Sequence, residues 1–372
     1  MEKSNGKKTR QETVMKRFDW YIIKKFLSTF LFTLSLILII VIVFDISEKI
    51  DDFLRSEVSL NQIIFQYYWN FIPYFANLFS PLFIFISVIY FTSKMASNSE
   101  IIAILNSGMS FTRLIRPFIV SAIFLAIISF VFGNFIIPET NKERIDFENK
   151  YIKRKQNKRV KNIHLQIQKD QYIYIESYNK SKDIGYKFTL ENFKDNALKS
   201  KLSANYIQYD TIHKNWIIKD YLIRIYNEKN EEITSGRQLD TIINLKPSDF
   251  SKNKSLVETM GMKELNEFIV EEEIKGTSQI IFHKIEKYKR LANPFSTIVL
   301  TIIAVAIGSR RLRGGAGIPL SIGLIISFGY ILFMQISTTF ATNGNLSPLI
   351  AVWIPNIVFM VIAVLLVKTA PK

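Results

Sequence analysis

Histidine, the side chain that most often carries acid–base catalysis, is rare and scattered in this sequence. Its three histidines, His164, His213 and His283, lie far apart along the chain. The catalytic motifs H-E-x-x-H and G-x-S-x-G and the phosphate-binding motif G-x-x-x-x-G-K-[ST] do not occur. The chain contains no cysteine, which rules out disulfides and thiolate chemistry. We therefore expect no catalysis, cofactor or metal site in this chain, and any ATP that its function uses must be hydrolysed by a partner.

One short stretch between two long apolar runs has a more informative pattern, the sequence SNSEIIAILNSGMSFTRL at 97–114. Ser97 and Glu100 have the spacing of a capping box, in which each side chain bonds a free backbone N–H at the start of a helix. Gly108 is placed to end that helix. Its apolar residues share one face, namely Ile101, Ile104 and Leu105. Two interpretations stay open: a surface helix whose acid only caps it, or a docking element that enters a partner's groove while Glu100 contacts a basic residue there.

The second candidate is Lys49, in the stretch FDISEKIDDFL that follows the first apolar run. A flexible ammonium group such as that of lysine suits a lipid phosphate. Four acids surround this lysine in the sequence: Asp45, Glu48, Asp51 and Asp52. Any of them could simply pair with it, so substrate binding and internal pairing are equally open.

Membrane helices must position these residues. Hydrophobic residues make up 48% of the 372-residue chain, and six nearly uncharged segments approach the roughly 20 residues that an α-helix needs to cross a bilayer. The predicted helices span residues 26–44, 71–91, 118–137, 291–308, 316–337 and 349–367. The first is longer than the apolar part of a signal peptide and has no small-residue cleavage site after it, so we expect it to be retained.

Polar side chains interrupt several of these helices: Asn77, Asn134, Asn293, Gln335 and Asn356. Prolines at positions 73, 81, 294, 319 and 355 add kinks. Polar groups at membrane depth usually face protein or a cavity. They predict either a pathway through kinked helices or ordinary hydrogen bonds between helices.

Basic residues in the short loops predict the orientation. The segment before the first helix carries eight Lys or Arg, and the loops at 93–116 and 309–315 carry three each. By the positive-inside rule both termini face the cytoplasm, and the region between the third and fourth helices lies outside it. The net charge of +16 comes largely from these flanks and from a basic run at 142–161. We therefore expect acidic membrane lipid, and not nucleic acid, as a partner.

Between the third and fourth helices the pattern changes to a period of two. The runs NIHLQIQ, QYIYIES and YKFTLEN alternate apolar and polar residues and are separated by turn-forming stretches, which predicts an all-β sandwich or open barrel. From Met262 to Arg290 the period is helical again and predicts two short helices, the second continuing into the fourth membrane helix. The predicted domains are an N-terminal membrane half at 1–137, a β domain at 138–275 and a C-terminal membrane half at 276–372.

Three stretches together resemble the LptF/LptG permease family of the lipopolysaccharide export system: SEIIAILNSGMSFTRLIRP, DWYIIKKFLSTFLFTL in the first helix and NPFSTIVLTIIAVAIG in the fourth. The resemblance covers nearly the whole chain. It implies that two related permease chains pair in the bacterial inner membrane and bind a dimer of a cytoplasmic ATPase to form an ABC transporter. It also implies a jellyroll-like periplasmic domain that passes lipopolysaccharide to a further jellyroll protein, which leads towards the outer membrane.

The resemblance also implies roles for the two candidate sites. The short helix would be the coupling helix of the family, with Glu100 inserted into the groove of the ATPase. Lys49 aligns best with basic residues that face the phosphates of the lipid, although this chain surrounds it with acids.

The sequence leaves two other functional classes to consider. One is a membrane-anchored envelope scaffold or signalling protein whose β domain binds a periplasmic partner, but six helices exceed what an anchor requires. The other is an ion-coupled secondary transporter, which would place carboxylates near mid-membrane, and the six apolar segments contain no Asp or Glu. The sequence therefore favours a half-permease of a lipid exporter.

Overall fold

The structure, a computed structural model, describes residues 2–56, 58–152, 159–168, 170–180, 182–195, 197–211, 213, 215–227, 230–241, 243, 245, 247–250, 254–274, 279–310, 315, 317–344 and 346–370. The chain divides into two compact units: a membrane unit of residues 1–152 and 284–372, and a sheet unit of residues 153–283. The sequence places the limits of the β domain at 138 and 275, whereas the chain stays helical through Ile152 before the sheet unit begins. Part of the basic run, residues 153–158, lies outside the described residues.

Eleven α-helices occur among the described residues. They are α1 Glu2–Arg55, α2 Leu60–Gln62, α3 Trp69–Ser97, α4 Glu100–Asn106, α5 Phe111–Val131, α6 Ile137–Phe147, α7 Lys254–Val257, α8 Met262–Ile274, α9 Ile280–Gly308, α10 Gly317–Asn343 and α11 Pro348–Lys368. Within the described parts of the chain, six helical segments are long and apolar enough to cross a membrane: Arg17–Arg55, Leu60–Ser97, Phe111–Ile152, Ile280–Gly308, Gly317–Asn343 and Pro348–Lys368. The six predicted membrane helices are therefore confirmed, and most of them extend beyond the apolar runs that predicted them.

Three π-helical turns interrupt the long helices, at Ile63–Tyr68, Phe132–Ile136 and Glu148–Ile152. In a π turn each hydrogen bond closes a wider loop than in an α-helix, so the side chains after it are rotated relative to the preceding face. A prediction based on the 3.6-residue period of an α-helix contains no such turns.

The core of the membrane unit is packed closely through small residues. A Cβ atom added to Gly323 of α10 would lie 2.6 Å from the side chain of Ile89 and 2.9 Å from that of Phe85, both on α3. A Cβ atom at Gly308 of α9 would lie 3.0 Å from the side chain of Thr92 on α3. In lipid, no hydrophobic effect drives helices together, and their association depends on close van der Waals packing. Small residues allow the helix backbones to approach closely enough for such packing. The central helix α3 therefore contacts both α9 and α10 at glycine positions.

Two of the five Asn and Gln residues that the sequence places in the membrane helices are seen to form hydrogen bonds between helices. The Asn77 side chain accepts from Ser129 Oγ at 2.7 Å, which joins α3 to α5. The Asn356 side chain accepts from Tyr330 Oη at 3.0 Å and donates to the Ala292 carbonyl at 3.4 Å, which joins α11 to α10 and α9. For these two asparagines the structure supports the interhelical role and not the lining of a pathway.

The sheet unit confirms the predicted all-β insertion between the third and fourth membrane helices. Its strands are β1 Arg159–Gln168, β2 Gln171–Asn179, β3 Ile184–Lys194, β4 Ala197–Asp210, β5 Asn215–Tyr226 and β6 Glu231–Thr241. They form one antiparallel sheet in which each strand pairs with the next along the chain. The order is that of a meander, whereas a jelly roll is built from two Greek keys in two sheets.

Aromatic side chains fill one end of the core of the sheet unit. Tyr178 and Trp216 are fully buried, and the ring of Phe250 lies 4.3 Å from the first and 5.9 Å from the second. The indole Nε1 of Trp216 donates to the Leu245 carbonyl at 2.8 Å. Burial, together with the hydrogen bond to Asp183, raises the pKa of the Tyr178 phenol, so that the phenol remains a neutral donor inside the core.

The inward-facing side chains shift by one position along the strands of the sheet. In β2, Ile173 and Ile175 are buried two positions apart, but the next buried side chain, Tyr178, is three positions further on. In β4 the same interval of three separates the buried residues Ala204 and Ile207. Because side chains normally alternate between the two faces of a strand, each interval of three marks a reversal of the alternation.

The reversal falls on one row of residues that crosses all six strands, which we call the crease row. On each strand, one residue of the row lies between two residues that are paired with the neighbouring strand. These residues are Asn162, Glu176, Lys187, Asn205, Asp220 and Arg237. On alternate strands the backbone is left-handed, with φ of 53° at Asn162, 52° at Lys187 and 49° at Asp220. The strands therefore keep their register across the row while one face of the sheet stays apolar on both sides of it.

We expect Lys187→Gly to strengthen the sheet, because a left-handed backbone is costly for a lysine and not for a glycine. The pair that Lys187 makes with Glu176 at 2.6 Å is exposed and contributes little. Amide hydrogen exchange of the full-length protein, followed on peptides from β2 to β4, should slow by about fivefold.

The matched control is Lys201→Gly. It removes an equivalent cross-strand pair, with Glu191 at 2.7 Å, from a regular strand position. This variant should exchange faster than the unmodified protein, since glycine weakens a strand interior. Faster exchange in Lys187→Gly as well would contradict a strained crease row.

Candidate functional site

A short helix lies where the sequence predicts it, but it begins differently. Ser97 is the last residue of α3, and Ser99 precedes α4 with a left-handed φ of 60° and does not cap it through its side chain. The predicted capping box is therefore wrong, because α3 continues through the serine that was expected to start the next helix. Glu100 is the first residue of α4, and Asn98 Nδ2 donates to its carboxylate at 3.0 Å. A negative charge at this helix end is favourable.

The apolar face of α4 is directed at the chain's own core. Ile101 is only 2% exposed, and Ile104 and Leu105 pack, partly buried, against the same cluster of membrane-unit side chains. The side chain of Ile102, at 39% exposed, is on the outer face. The three apolar residues named from the sequence therefore hold α4 in place, and Ile102 is the isoleucine of this helix that a partner can reach.

Gly108 ends the short helix, as predicted. Its φ is 89° and its N–H donates to the Leu105 carbonyl at 3.0 Å. The left-handed backbone suits a residue without Cβ. Two residues later α5 starts with Ser110 as its cap, so α4 is fixed between two helices of the membrane unit.

At the opposite end of α1, Lys49 lies in a group of partly buried charges. Its Nζ is 2.7 Å from Asp45 Oδ1 and 3.7 Å from Glu148 Oε1, and it donates to the hydroxyl of Tyr67. Of the four acids near Lys49 in the sequence, Asp45 is the one seen to form an ion pair with it among the described residues. The second acid, Glu148, is far away in the sequence and was not predicted.

Further polar contacts complete this group. Tyr68 Oη donates to Asp45 Oδ2 at 3.1 Å. Arg144 lies with Nη1 3.5 Å from Glu148 Oε1 and with its guanidinium 5.0 Å from the centre of the Tyr74 ring. We call the following set the Lys49 cluster: Asp45, Lys49, Tyr67, Tyr68, Arg144 and Glu148. Its two cations and two carboxylates balance in formal charge.

The π-helical turns place three members of the Lys49 cluster. Tyr67 and Tyr68 end the first π turn, and Glu148 begins the third. Apolar and aromatic side chains surround the cluster, among them Phe53, Phe71 and Phe147. Such surroundings strengthen each ion pair and make an unpaired charge costly. The sequence signal that could have found the cluster is the pair of acids and bases at Asp45/Lys49 and Arg144/Glu148, each spaced four residues apart on a helix.

The Lys49 cluster joins α1 to the start of α3 and the end of α6. The Lys49 side chain is 19% exposed, and two carboxylates already neutralise it. Among the described residues no group of three or more His, Asp or Glu has the geometry of a metal site. The arrangement is that of a charge-balanced ion-pair cluster that joins three helical segments.

We expect Lys49→Met to destabilise the membrane unit by about 2 kcal/mol, because it leaves two carboxylates without their shared cation. Adding Asp45→Asn should recover part of the loss. Thermal unfolding of the purified protein in detergent, followed by circular dichroism, measures both effects. Lys24→Met is the control, since Lys24 is exposed on the same helix, and an equal loss in this control would rule out a special role of the cluster.

The chain is similar to a known protein family over most of its length. The sequence model described as lipopolysaccharide export system permease LptF/LptG matches residues 20–369. No curated protein matches the chain. The match includes both α4 and the Lys49 cluster.

Proposed function

The chain belongs to the LptF/LptG family of lipopolysaccharide export permeases, and from this premise we propose that it is one permease subunit of an ATP-driven lipopolysaccharide exporter. In this role it extracts lipopolysaccharide from the inner membrane and passes it to a periplasmic bridge protein. The observation that carries the proposal is the family match over residues 20–369 in a chain with six membrane helices and an inserted sheet.

The energetics of extraction support an ATP-driven mechanism. Withdrawing an acyl chain from lipid costs about 0.8 kcal/mol per CH₂, so removing several chains together requires work. The sequence contains no nucleotide-binding motif of the P-loop type. We therefore assign ATP hydrolysis to a cytoplasmic ATPase dimer and complete the transporter with a second, related permease chain.

The loop charges support an orientation with both termini in the cytoplasm and the sheet unit in the periplasm. In this orientation α4 faces the cytoplasm and is the proposed coupling helix. Glu100 and the exposed Ile102 reach the ATPase, while Ile101, Ile104 and Leu105 hold the helix on the membrane unit and Gly108 ends it. The Lys49 cluster then lies near the outer surface of the membrane, and we propose that Lys49 exchanges a carboxylate partner for a lipid phosphate.

We expect Glu100→Arg to remove the ATPase subunit from the purified transporter, because the carboxylate would be replaced by a charge that repels a basic residue in the groove. Lys94→Glu alters the charge of the exposed surface one turn before the end of α3 and should leave the ATPase bound. The measurement is the amount of ATPase that co-purifies. Full retention with Glu100→Arg, together with undiminished ATP-driven transport, would contradict docking through this residue.

Two neighbouring isoleucines provide a matched test of the face of α4. Ile102→Ala should weaken binding of the ATPase and leave thermal stability unchanged, because the side chain is exposed. Ile101→Ala should lower stability by about 2 to 4 kcal/mol, as expected for a large-to-small change in a core. If Ile102→Ala leaves the amount of co-purified ATPase unchanged, the outer face of α4 is not the docking surface.

For Lys49 we expect photo-crosslinking of lipopolysaccharide to fall severalfold in Lys49→Gln, because the phosphate loses its cation. Asp45→Asn removes a competing anion and should leave crosslinking equal or higher. Equal losses in both variants would show that Lys49 serves only as an ion-pair partner.

A further inference from the structure

A second ion pair lies at the α4 end of the membrane unit. Arg113 Nη1 donates to Asp19 Oδ1 at 2.8 Å, and Arg113 Nη2 donates to Asp19 Oδ2 at 2.5 Å. The two guanidinium nitrogens each donate to one carboxylate oxygen. This bidentate geometry fixes the orientation as well as the distance of the two groups. The pair is half-buried, with 18% of the Arg113 side chain and 29% of the Asp19 side chain exposed.

The pair connects two elements that are far apart in the sequence. Arg113 lies in the first turn of α5, five residues after the glycine that ends α4, and its backbone N–H donates to the capping Ser110 Oγ at 3.3 Å. Asp19 lies on α1. Just inside the pair, Phe26 of α1 and Phe118 of α5 bring their ring centres to 6.3 Å. The start of α5, and with it the end of α4, is therefore attached to α1 by one directional contact.

The helix α1 differs from the other five membrane segments in its continuity. Between Asp19 and Lys49 it contains neither proline nor glycine. Four of the others contain prolines within their helices: Pro73 and Pro81 in α3, Pro117 in α5, Pro294 in α9 and Pro355 in α11. The remaining one, α10, contains Gly323 and Gly329. Helices bend at prolines and at π turns. A displacement applied at Asp19 therefore reaches Lys49, roughly 45 Å further along the helix axis, without a built-in point of bending.

From this geometry we propose that the Asp19–Arg113 pair transfers the movement of α4 to α1, and that α1 carries it as a rigid rod to the Lys49 cluster. The inference rests on the proposed function, in which α4 docks on the ATPase. Asp19 and Arg113 are positioning residues, since neither touches nucleotide or lipid in this scheme. Without the pair, ATP hydrolysis continues but α1 no longer follows α4.

A purely structural role predicts a different result. The core already anchors this part of α1 through Ile22 and Phe26, which are fully buried, and through Phe30. The pair is less buried than the Lys49 cluster on its acidic side, since 29% of the Asp19 side chain is exposed, and exposed ion pairs add less to stability than buried ones. Loss of the pair should therefore lower thermal stability by no more than Lys49→Met does, leave the helices folded and abolish the coupling between Asp19 and Lys49.

The test uses the complete transporter, both permease chains with the ATPase dimer, in proteoliposomes that contain lipopolysaccharide. In Asp19→Asn and in Arg113→Gln we expect the ATPase to stay bound and to hydrolyse ATP, while lipopolysaccharide release falls about tenfold. The charge swap Asp19→Arg with Arg113→Asp should restore release, and the conservative Asp19→Glu should restore part of it. Arg116→Gln, at an exposed position one turn further along α5, is the matched control and should behave as the unmodified chain.

A direct readout of the movement is available because the chain has no cysteine of its own. Spin labels at Ser47→Cys on α1 and Ser347→Cys before α11, both exposed positions, report the distance between the outer ends of these helices. We expect ATP with vanadate to change this distance in the unmodified transporter and not in Asp19→Asn.

The outcomes separate this inference from the proposed function. Normal release, or a normal change of the label distance, in the Asp19→Asn transporter would overturn the inference alone. Loss of the bound ATPase in the pair variants would also overturn it, since the pair would then serve docking. Failure of the unmodified chain to bind any ATPase would overturn the proposed function itself.

Discussion

The hydrocarbon of a membrane offers no hydrogen bonds, and this constraint governs where polar groups lie in the membrane unit. Side chains inside the helices pair with one another, as Asn77 does with Ser129, or with the backbone of their own helix, as Ser121 does with the Pro117 carbonyl at 2.9 Å. Several ionised groups near the ends of the apolar segments form opposite-charge pairs. The apolar part of α1 has such a pair on each side, with Asp19 before it and the Lys49 cluster after it.

The same constraint explains why charge balance matters more than the identity of single residues around Lys49. Lys49 is held by Asp45 and Glu148, and Glu148 is shared with Arg144. Each group neutralises more than one neighbour, so a new anion can enter only if an existing carboxylate gives way. Under the proposed role of Lys49, binding of a lipid phosphate would therefore also rearrange the helices, since Glu148 belongs to a different segment from Lys49.

Much of this architecture could be predicted from the sequence, because it follows from long apolar runs and regular periods. The six membrane helices, the inserted sheet and the short helix α4 were all indicated in this way. The predicted capping box was wrong because Ser97 is the last residue of α3. A four-residue pattern cannot show whether its first serine ends one helix or begins the next. The partnership of Lys49 with Glu148 could not be predicted, since it depends on a π turn and on contacts between residues 99 positions apart. The crease row could not be predicted from a constant period of two, because the alternation of inward and outward side chains reverses there.

The crease row also has a consequence for how sequences of this type vary. The side chains on the row are polar and mostly exposed, so their chemical identity is weakly constrained. The number of residues in each strand is strongly constrained. Removing one residue from a strand at this point would turn half of its apolar side chains outward and shift its register with both neighbouring strands. In this sheet the spacing along each strand is therefore a stronger requirement than the composition, and a deletion of one residue should be far less tolerated than a substitution at the same position.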